Sequence, residues 1–181
     1  MISNKKTLRI YLEKDRKNNK ISSTFKNYLF SDTWRFLRLL RKAEYYRNVR
    51  LPIYLRWLRI YTDFRFKAQS KKLGYSIPPN VCGPGLMLPH YGNIIINRKC
   101  KIGENCRIHV GVNIGAGHDG TGMTPQIGNN CYIAPGAKIF GGIKIADNVQ
   151  VGANAVVNKS FEEPHIVIAG IPAKIIKKIE P

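Results

Sequence analysis

Aliphatic residues recur every sixth position over residues 96–162. Ile96, Ile102, Ile108 and Ile114 make one run, and Ile127, Ile133, Ile139, Ile145, Val151 and Val157 make a second. Four residues after most of them stands a small or β-branched residue, as at Cys100, Cys106, Val112, Cys131, Ala137, Ile143, Val149 and Ala155. A strand alternates sides every two residues, so six residues make a short strand and a corner with the aliphatic side chain inside. Three such units close a triangular coil, and a short fixed repeat predicts stacked coils. The expected fold is a mainly β parallel β-helix.

The period breaks twice. Leu88 to Ile96 holds two extra residues around PHYGN, and Ile114 to Ile127 holds seven extra in GAGHDGTGMTPQ. Insertions in a solenoid map to loops beside its binding face, so the chemistry is expected there. After Ser160 the pattern ends, and the tail predicts a last strand, a tight turn at Gly170–Pro172 and a basic C-terminal segment.

Before the repeats the period changes to that of helices. Residues 1–20 are basic and are expected to be only partly ordered. Ser31 or Asp32 caps a helix starting near Thr33, with Trp34, Leu37, Leu40 and Tyr45 on one face and Arg35, Arg38, Arg41 and Lys42 bordering it. A second helix begins at Pro52, carries Tyr54, Trp57, Leu58, Tyr61, Phe64 and Ala68, and stops at Gly74. The expected division is a basic, aromatic-rich α-helical region over 1–75 and a β-helix over 76–181.

Charge sharpens that division. Residues 1–75 hold 20 Lys and Arg against 5 Asp and Glu, while residues 76–181 hold 10 against 6. The basic helices read either as a cap packed on the β-helix or on a neighbouring subunit, or as a surface for an anionic membrane or a polyanionic glycan. A positive field does not choose its anion, and no nucleic-acid-binding motif accompanies it. No apolar run is long enough to span a bilayer, and the N-terminus lacks a signal peptide. A cytoplasmic protein, with peripheral contact at the inner face of the membrane as one use of the basic segment, is expected. The four cysteines form no CxxC pair; three fill the same inward position of their repeats, so neither a disulfide framework nor a cysteine zinc site is expected.

The segments GLMLPHYGNIII, IHVGVNIGAG, IGNNCYIAPGAKIFGGI, VGANAVVNKS and AGIPAKII together resemble the acyltransferase domain of the serine acetyltransferase group of hexapeptide transferases. The resemblance implies left-handed coils, although the usual crossover rule would give right-handed ones. It also implies a homotrimer with sites between subunits and acetyl-CoA as co-substrate, with no metal required. A hydroxyl acceptor needs a base, and the family's catalytic histidine falls on His90. A backbone N–H in a glycine-rich break would hold the oxyanion. Counting hexads places His90, Val110, Pro135 and Ala153 in one column along a coil edge. Three coil steps span about 14 Å, which suits an extended pantetheine arm. By resemblance Gly117, Pro135, Gly136 and Ala153 line the cofactor, Asn158 and Lys159 flank its adenosine end, and Lys174 or Lys177 pairs with its phosphates. Tyr91, His109, His118 and Asp119 are candidates for acceptor contact.

Three departures bear on the acceptor. Pro89 stands where the family has an aspartate before the catalytic histidine, and Met123 and Thr124 replace an Arg-His pair that holds serine. Ser76 replaces the carboxylate that orients the imidazole. These substitutions point to a neutral sugar hydroxyl, in the character of capsule and polysaccharide O-acetyltransferases; serine acetylation is the alternative. A remoter one is a zinc β-helix enzyme of the carbonic anhydrase type, using His90, His109 and His118. A non-catalytic scaffold that binds polyanions through residues 1–75 is the remaining reading.

Overall fold

The hexads become coils of a left-handed parallel β-helix. The computed structural model describes residues 1–21, 31–118 and 120–180. One face of the prism stacks β1 (Tyr75–Ser76), β2 (Ile94–Ile96), β5 (Asn113–Gly115), β8 (Lys138–Phe140) and β11 (Val156–Val157). The second stacks β3 (Lys101–Ile102), β6 (Gln126–Ile127) and β9 (Lys144–Ile145). The third stacks β4 (Arg107–Ile108), β7 (Tyr132–Ile133), β10 (Gln150–Val151) and β12 (Ile166–Gly170). A final strand, β13 (Ala173–Lys178), then pairs antiparallel with β12.

Register follows the six-residue period. Ile96 lies against Ile114 and Ile114 against Ile139; Ile102 against Ile127 and Ile127 against Ile145; Ile108 against Ile133 and Ile133 against Val151. All of these side chains are buried, as are the small residues between them. Tight corners need left-handed backbone, which Asn tolerates better than most residues. Asn105, Asn130 and Asn148 take positive φ at successive levels of one corner, and the Asn105 side-chain amide donates to Asn130 Oδ1 at 3.2 Å.

The cysteines fill the core as expected. Cys82, Cys100, Cys106 and Cys131 are all free and buried. Burial pushes the Cys82 thiol up to about 12 and raises that of Cys100. The hydrogen bond with Cys131, together with burial, holds the Cys106 thiol far above its ordinary value. The same bond lowers the Cys131 thiol, which is shielded by burial alone. Thiolate is the reactive form. Native protein at neutral pH is expected to leave Cys82, Cys100 and Cys106 unmodified by Ellman's reagent, with all four thiols reacting in denaturant. Reaction of any of those three in the native chain would contradict this packing.

The N-terminal region departs from expectation in three respects. First, residues 1–20 are ordered: Asn4 accepts a hydrogen bond from the Thr7 amide and caps helix α1 (Lys5–Asn18). The reason lies at its far end, where polar side chains satisfy the open edge of the first coil. Gly85 and Leu86 donate their amides to Asp15 Oδ1 at 2.7 and 2.9 Å. Asn19 donates to the Leu86 carbonyl at 2.8 Å and accepts from the Leu88 amide at 3.0 Å. A helix thus does what a neighbouring strand would otherwise do.

Second, Arg41 does not border solvent. Helix α2 (Asp32–Asn48), capped by Ser31, buries Arg41 completely along with Trp34, Phe36, Leu37, Leu40 and Glu44, while Tyr45 is only half-buried. The guanidinium bonds Asp15 through Nε at 2.8 Å, Glu44 through Nη1 at 3.0 Å, and the Cys82 and Gly83 carbonyls at 2.9 and 2.7 Å. One cation ties α1, α2 and the first coil together.

Third, Pro52 precedes a 3-10 turn (Ile53–Leu55), and helix α3 (Arg56–Leu73) follows, ending at Gly74 with φ +75°. Its buried side is Thr62, Phe66, Gln69 and Leu73. The row containing Tyr54, Trp57, Tyr61 and Phe64 instead points to solvent. Phe66 meets Phe36 of α2 at 5.6 Å between ring centroids, so that side of α3 is taken by α2.

Candidate active site

His90 lies in the first break of the period, and the coil register fixes what lies beneath it. Met87 bridges Arg107, Arg107 pairs with Tyr132, and Tyr132 pairs with Gln150. Three residues on from each of these come His90, Val110, Pro135 and Ala153. Backbone bonds hold this edge level by level: Gly111 N to Asn93 O at 2.6 Å, Gly136 N to Val110 O at 3.0 Å and Asn154 N to Pro135 O at 2.9 Å. His90, Pro135 and Ala153 are exposed and Val110 is half-buried.

The edge is smooth because glycine occupies its second corner position at the Val110 and Pro135 levels. Gly111 and Gly136 have φ of +79° and +76°. A Cβ on Gly136 would run into the Asn154 side chain, and one on Gly111 would lie 3.2 Å from the Gly136 backbone. What remains is a narrow shelf of small residues below His90.

The His90 turn is anchored to the helical region. The Tyr75 hydroxyl donates to the His90 carbonyl at 2.9 Å, and the buried Tyr75 ring meets Phe36 edge-on at 4.8 Å. The Gly92 amide donates to the Leu73 carbonyl at the end of α3, at 2.9 Å. Ser76, by contrast, faces outward and is exposed. Tyr75 escapes a reading of the sequence because it stands outside the repeats; its only clue there is a tyrosine directly before the first coil.

A second histidine stands beside the first. The His109 ring is 6.2 Å from that of His90 and 5.2 Å, edge-on, from Tyr132. It is buried, and its Nε2 has no hydrogen-bond partner. Burial first, then the charges of Arg107 and His90, push its pKa down, which favours the neutral imidazole. On the same outer surface the Arg107 guanidinium lies 5.4 Å from the Tyr132 ring, with its Nε buried and unpartnered. Arg107 has no role assigned from the sequence, where nothing marks it out from other outward residues of the repeats. Tyr91 is exposed in the His90 turn.

The other candidates fall on a different edge. Gly117 and His118 belong to the long loop that leaves after β5, and Asp119 lies outside the described residues. Met123 packs over Gly142, across the first face of the prism from His90. Asn158 and Lys159 occupy the lowest level of that same second edge. Lys159 sits 5.4 Å from the Phe161 ring and shares a groove of about 370 Å³ with Phe161, Glu163 and Lys174. Lys177 is on β13, opposite Val167. One chain therefore groups His90, Tyr91, His109, Pro135, Gly136 and Ala153 on one edge. Gly117, His118, Asn158 and Lys159 stand on the next. Among the described residues no group of three or more His, Cys, Asp or Glu is arranged to hold a metal ion.

The family model for bacterial transferase hexapeptide repeats (six repeats) matches residues 124–159. A serine acetyltransferase of Staphylococcus epidermidis is 39% identical over 124 residues, covering 66% of this chain and 58% of the relative. One from Staphylococcus aureus is 39% identical over 107 residues, covering 58% of this chain and 50% of the relative. The chain thus spans about half the length of the curated relatives it matches, from 50 to 58% for these two. Among solved structures, a serine acetyltransferase of Neisseria gonorrhoeae superimposes with a TM-score of 0.75 at 25% identity, over 98% of this chain and 69% of that one. A Brucella abortus serine acetyltransferase in complex with coenzyme A gives 0.73 at 24% identity, over 97% and 68%.

The chain is similar to hexapeptide-repeat acyltransferases of the serine acetyltransferase type. The expectation of a sugar or polysaccharide acceptor is corrected by these relatives, which are serine acetyltransferases. The resemblance to capsule and polysaccharide enzymes is corrected with it. That expectation took Pro89, Met123 and Thr124 as a loss of the charges a free amino acid needs. It overlooked Arg107, a cation beside His109 whose Nε has no partner.

Proposed function

We propose that this chain is an acetyl-CoA-dependent O-acetyltransferase whose acceptor is serine. The observation that carries the reading is the His90 edge, a histidine at the head of a side-chain-poor shelf, within the region 39% identical to serine acetyltransferases.

His90 takes the proton from the serine hydroxyl as that oxygen attacks the thioester carbonyl. A backbone N–H of a glycine-rich break holds the oxyanion. Collapse of the tetrahedral intermediate breaks the C–S bond, and His90 returns the proton to the departing CoA sulfur. Tyr75, through the His90 carbonyl, positions the turn from which the imidazole projects. The pantetheine arm lies along Pro135, Gly136 and Ala153.

Gly117, His118, Asn158 and Lys159 stand on the next edge of the same chain, which suits a cleft shared between neighbouring subunits of a homotrimer. Each active site then takes the His90 edge from one copy and the loop and lysine edge from another. Lys159, Lys174 and Lys177 supply positive charge for the CoA phosphates, and Tyr91 and His109 border the acceptor.

Arg107 takes the serine carboxylate. Its unpartnered Nε and its place beside His109 support this role. Arg107→Met is expected to raise KM for L-serine by roughly 10- to 100-fold, the equivalent of one charge-assisted hydrogen bond. KM for acetyl-CoA should be little changed. Equal KM values for serine in the two proteins would remove Arg107 from the site.

The reading as a whole is tested by following CoA release from acetyl-CoA with L-serine, with serinamide and without acceptor. Release that requires L-serine and falls with serinamide is the expected result. Release no faster with L-serine than without acceptor would refute serine as substrate.

A further inference from the structure

Helix α3 is apolar on both sides. Its inner side, Thr62, Phe66, Gln69 and Leu73, is buried. On the outer side, continuing through the 3-10 turn, Ile53, Trp57, Ile60 and Phe64 are 77, 58, 72 and 69% exposed, and Tyr61 beside them is 51% exposed. Their spacing of four, three and four residues puts them in one stripe about 100° wide.

The charges around that stripe are of one sign. Arg56 and Lys67 border it on one flank and Arg65 on the other, all exposed. Arg65 donates to the Tyr61 hydroxyl at 2.6 Å, so its guanidinium is held at the stripe's margin. Asp63 is the one acidic residue of the helix, and it is turned away into an ion pair with Arg47 at 3.0 Å.

We propose that this outer face of α3 docks on an anionic lipid bilayer. The Ile, Trp, Tyr and Phe row enters the boundary between headgroups and acyl chains, and Arg56, Arg65 and Lys67 pair with lipid phosphates. Tyr and Trp suit that depth because each joins an apolar ring to a polar tip. The contact is peripheral, since no helix among the described residues is long and apolar enough to cross a membrane. Charge favours this occupant over a second copy of the chain. Two such stripes packed face to face would bring arginine and lysine rows against their like, with no carboxylate on the face to answer them.

The test uses the full chain and sedimentation with two kinds of vesicle, phosphatidylcholine alone and phosphatidylcholine mixed with phosphatidylglycerol. Binding is expected to the mixed vesicles and to weaken with added salt. Fluorescence gives a second readout, because the chain has two tryptophans and Trp34 is 2% exposed. A vesicle-induced blue shift would come from Trp57 and disappear in Trp57→Ser. The double variant Trp57→Ser/Phe64→Ser is expected to lose at least about tenfold in partitioning. Arg56→Glu/Lys67→Glu should lose a comparable factor or more. All four positions are exposed, so circular dichroism and CoA binding should match wild type. The proposal fails if the mixed vesicles bind no better than phosphatidylcholine, or if both double variants bind as wild type does. It also fails if Trp57→Ser/Phe64→Ser changes the oligomer's size without changing partitioning, which would assign the face to another copy. Equal dependence on Trp57 and Phe64 for binding a soluble polyanion such as dextran sulfate would likewise overturn it.

Discussion

His90→Ala is expected to lower kcat by about 10²- to 10⁴-fold, the range contributed by a positioned general base. The serine hydroxyl loses almost no proton to water at pH 7, so attack on the thioester depends on a base already in place. KM for acetyl-CoA should change little, because the shelf below His90 is built from backbone and from Pro135 and Ala153. His109 cannot substitute. Its ring is 6.2 Å away, it is buried, and its lowered pKa makes it a weaker base. Steady-state CoA release for the two proteins, with circular dichroism to verify the fold, measures the effect. A variant within tenfold of wild type would move the base elsewhere.

Arg41→Met should cost about 3–5 kcal/mol of stability, the usual penalty for removing one partner of a buried ion pair. In a chain of this size that corresponds to a fall in Tm of roughly 10 °C. Arg41 faces two carboxylates, Asp15 and Glu44, at 2.8 and 3.0 Å, and all three side chains are at most 2% exposed. Without the guanidinium, two negative charges stay buried and the Cys82 and Gly83 carbonyls lose their donor. Adding Asp15→Asn and Glu44→Gln should recover part of the loss, since neutral amides are cheaper to bury unpaired. The coupling between the three changes is the informative quantity. An unchanged Tm for Arg41→Met would mean that the helices are held by apolar contact alone.

The β-helix was legible because its rule is local. An aliphatic residue every sixth position and a small residue four places later fix which side chains enter the prism, and Cys100, Cys106 and Cys131 fall inside for that reason. The His90 column was legible too, since stacking multiplies one register along the whole edge. The helical region obeyed no such rule. The apolar stripe through Trp57 and Phe64 was visible in the sequence, but a second apolar side through Phe66 and Leu73 was the one that packed. A periodicity identifies a face; it does not say what covers it. Arg41 is invisible for a related reason. Burying a guanidinium requires Asp15, 26 residues away, and two carbonyls of the first coil to arrive together. The reading of the acceptor rested on Met123 and Thr124 and took no account of Arg107, an outward residue of the repeats themselves that the proposed serine site uses.

The antiparallel return of β13 along β12 has a consequence for the protein's solubility. A stack of identical parallel coils ends in a row of open amides and carbonyls that could accept another coil, and then another chain, in the manner of a growing fibre. The hairpin reverses the chain direction at that end, so the next molecule meets a strand of the wrong polarity. That strand carries Lys174, Lys177 and Lys178, all exposed, and their like charges repel an approaching copy. On that face of the prism the edge that would receive a further parallel coil is thereby covered.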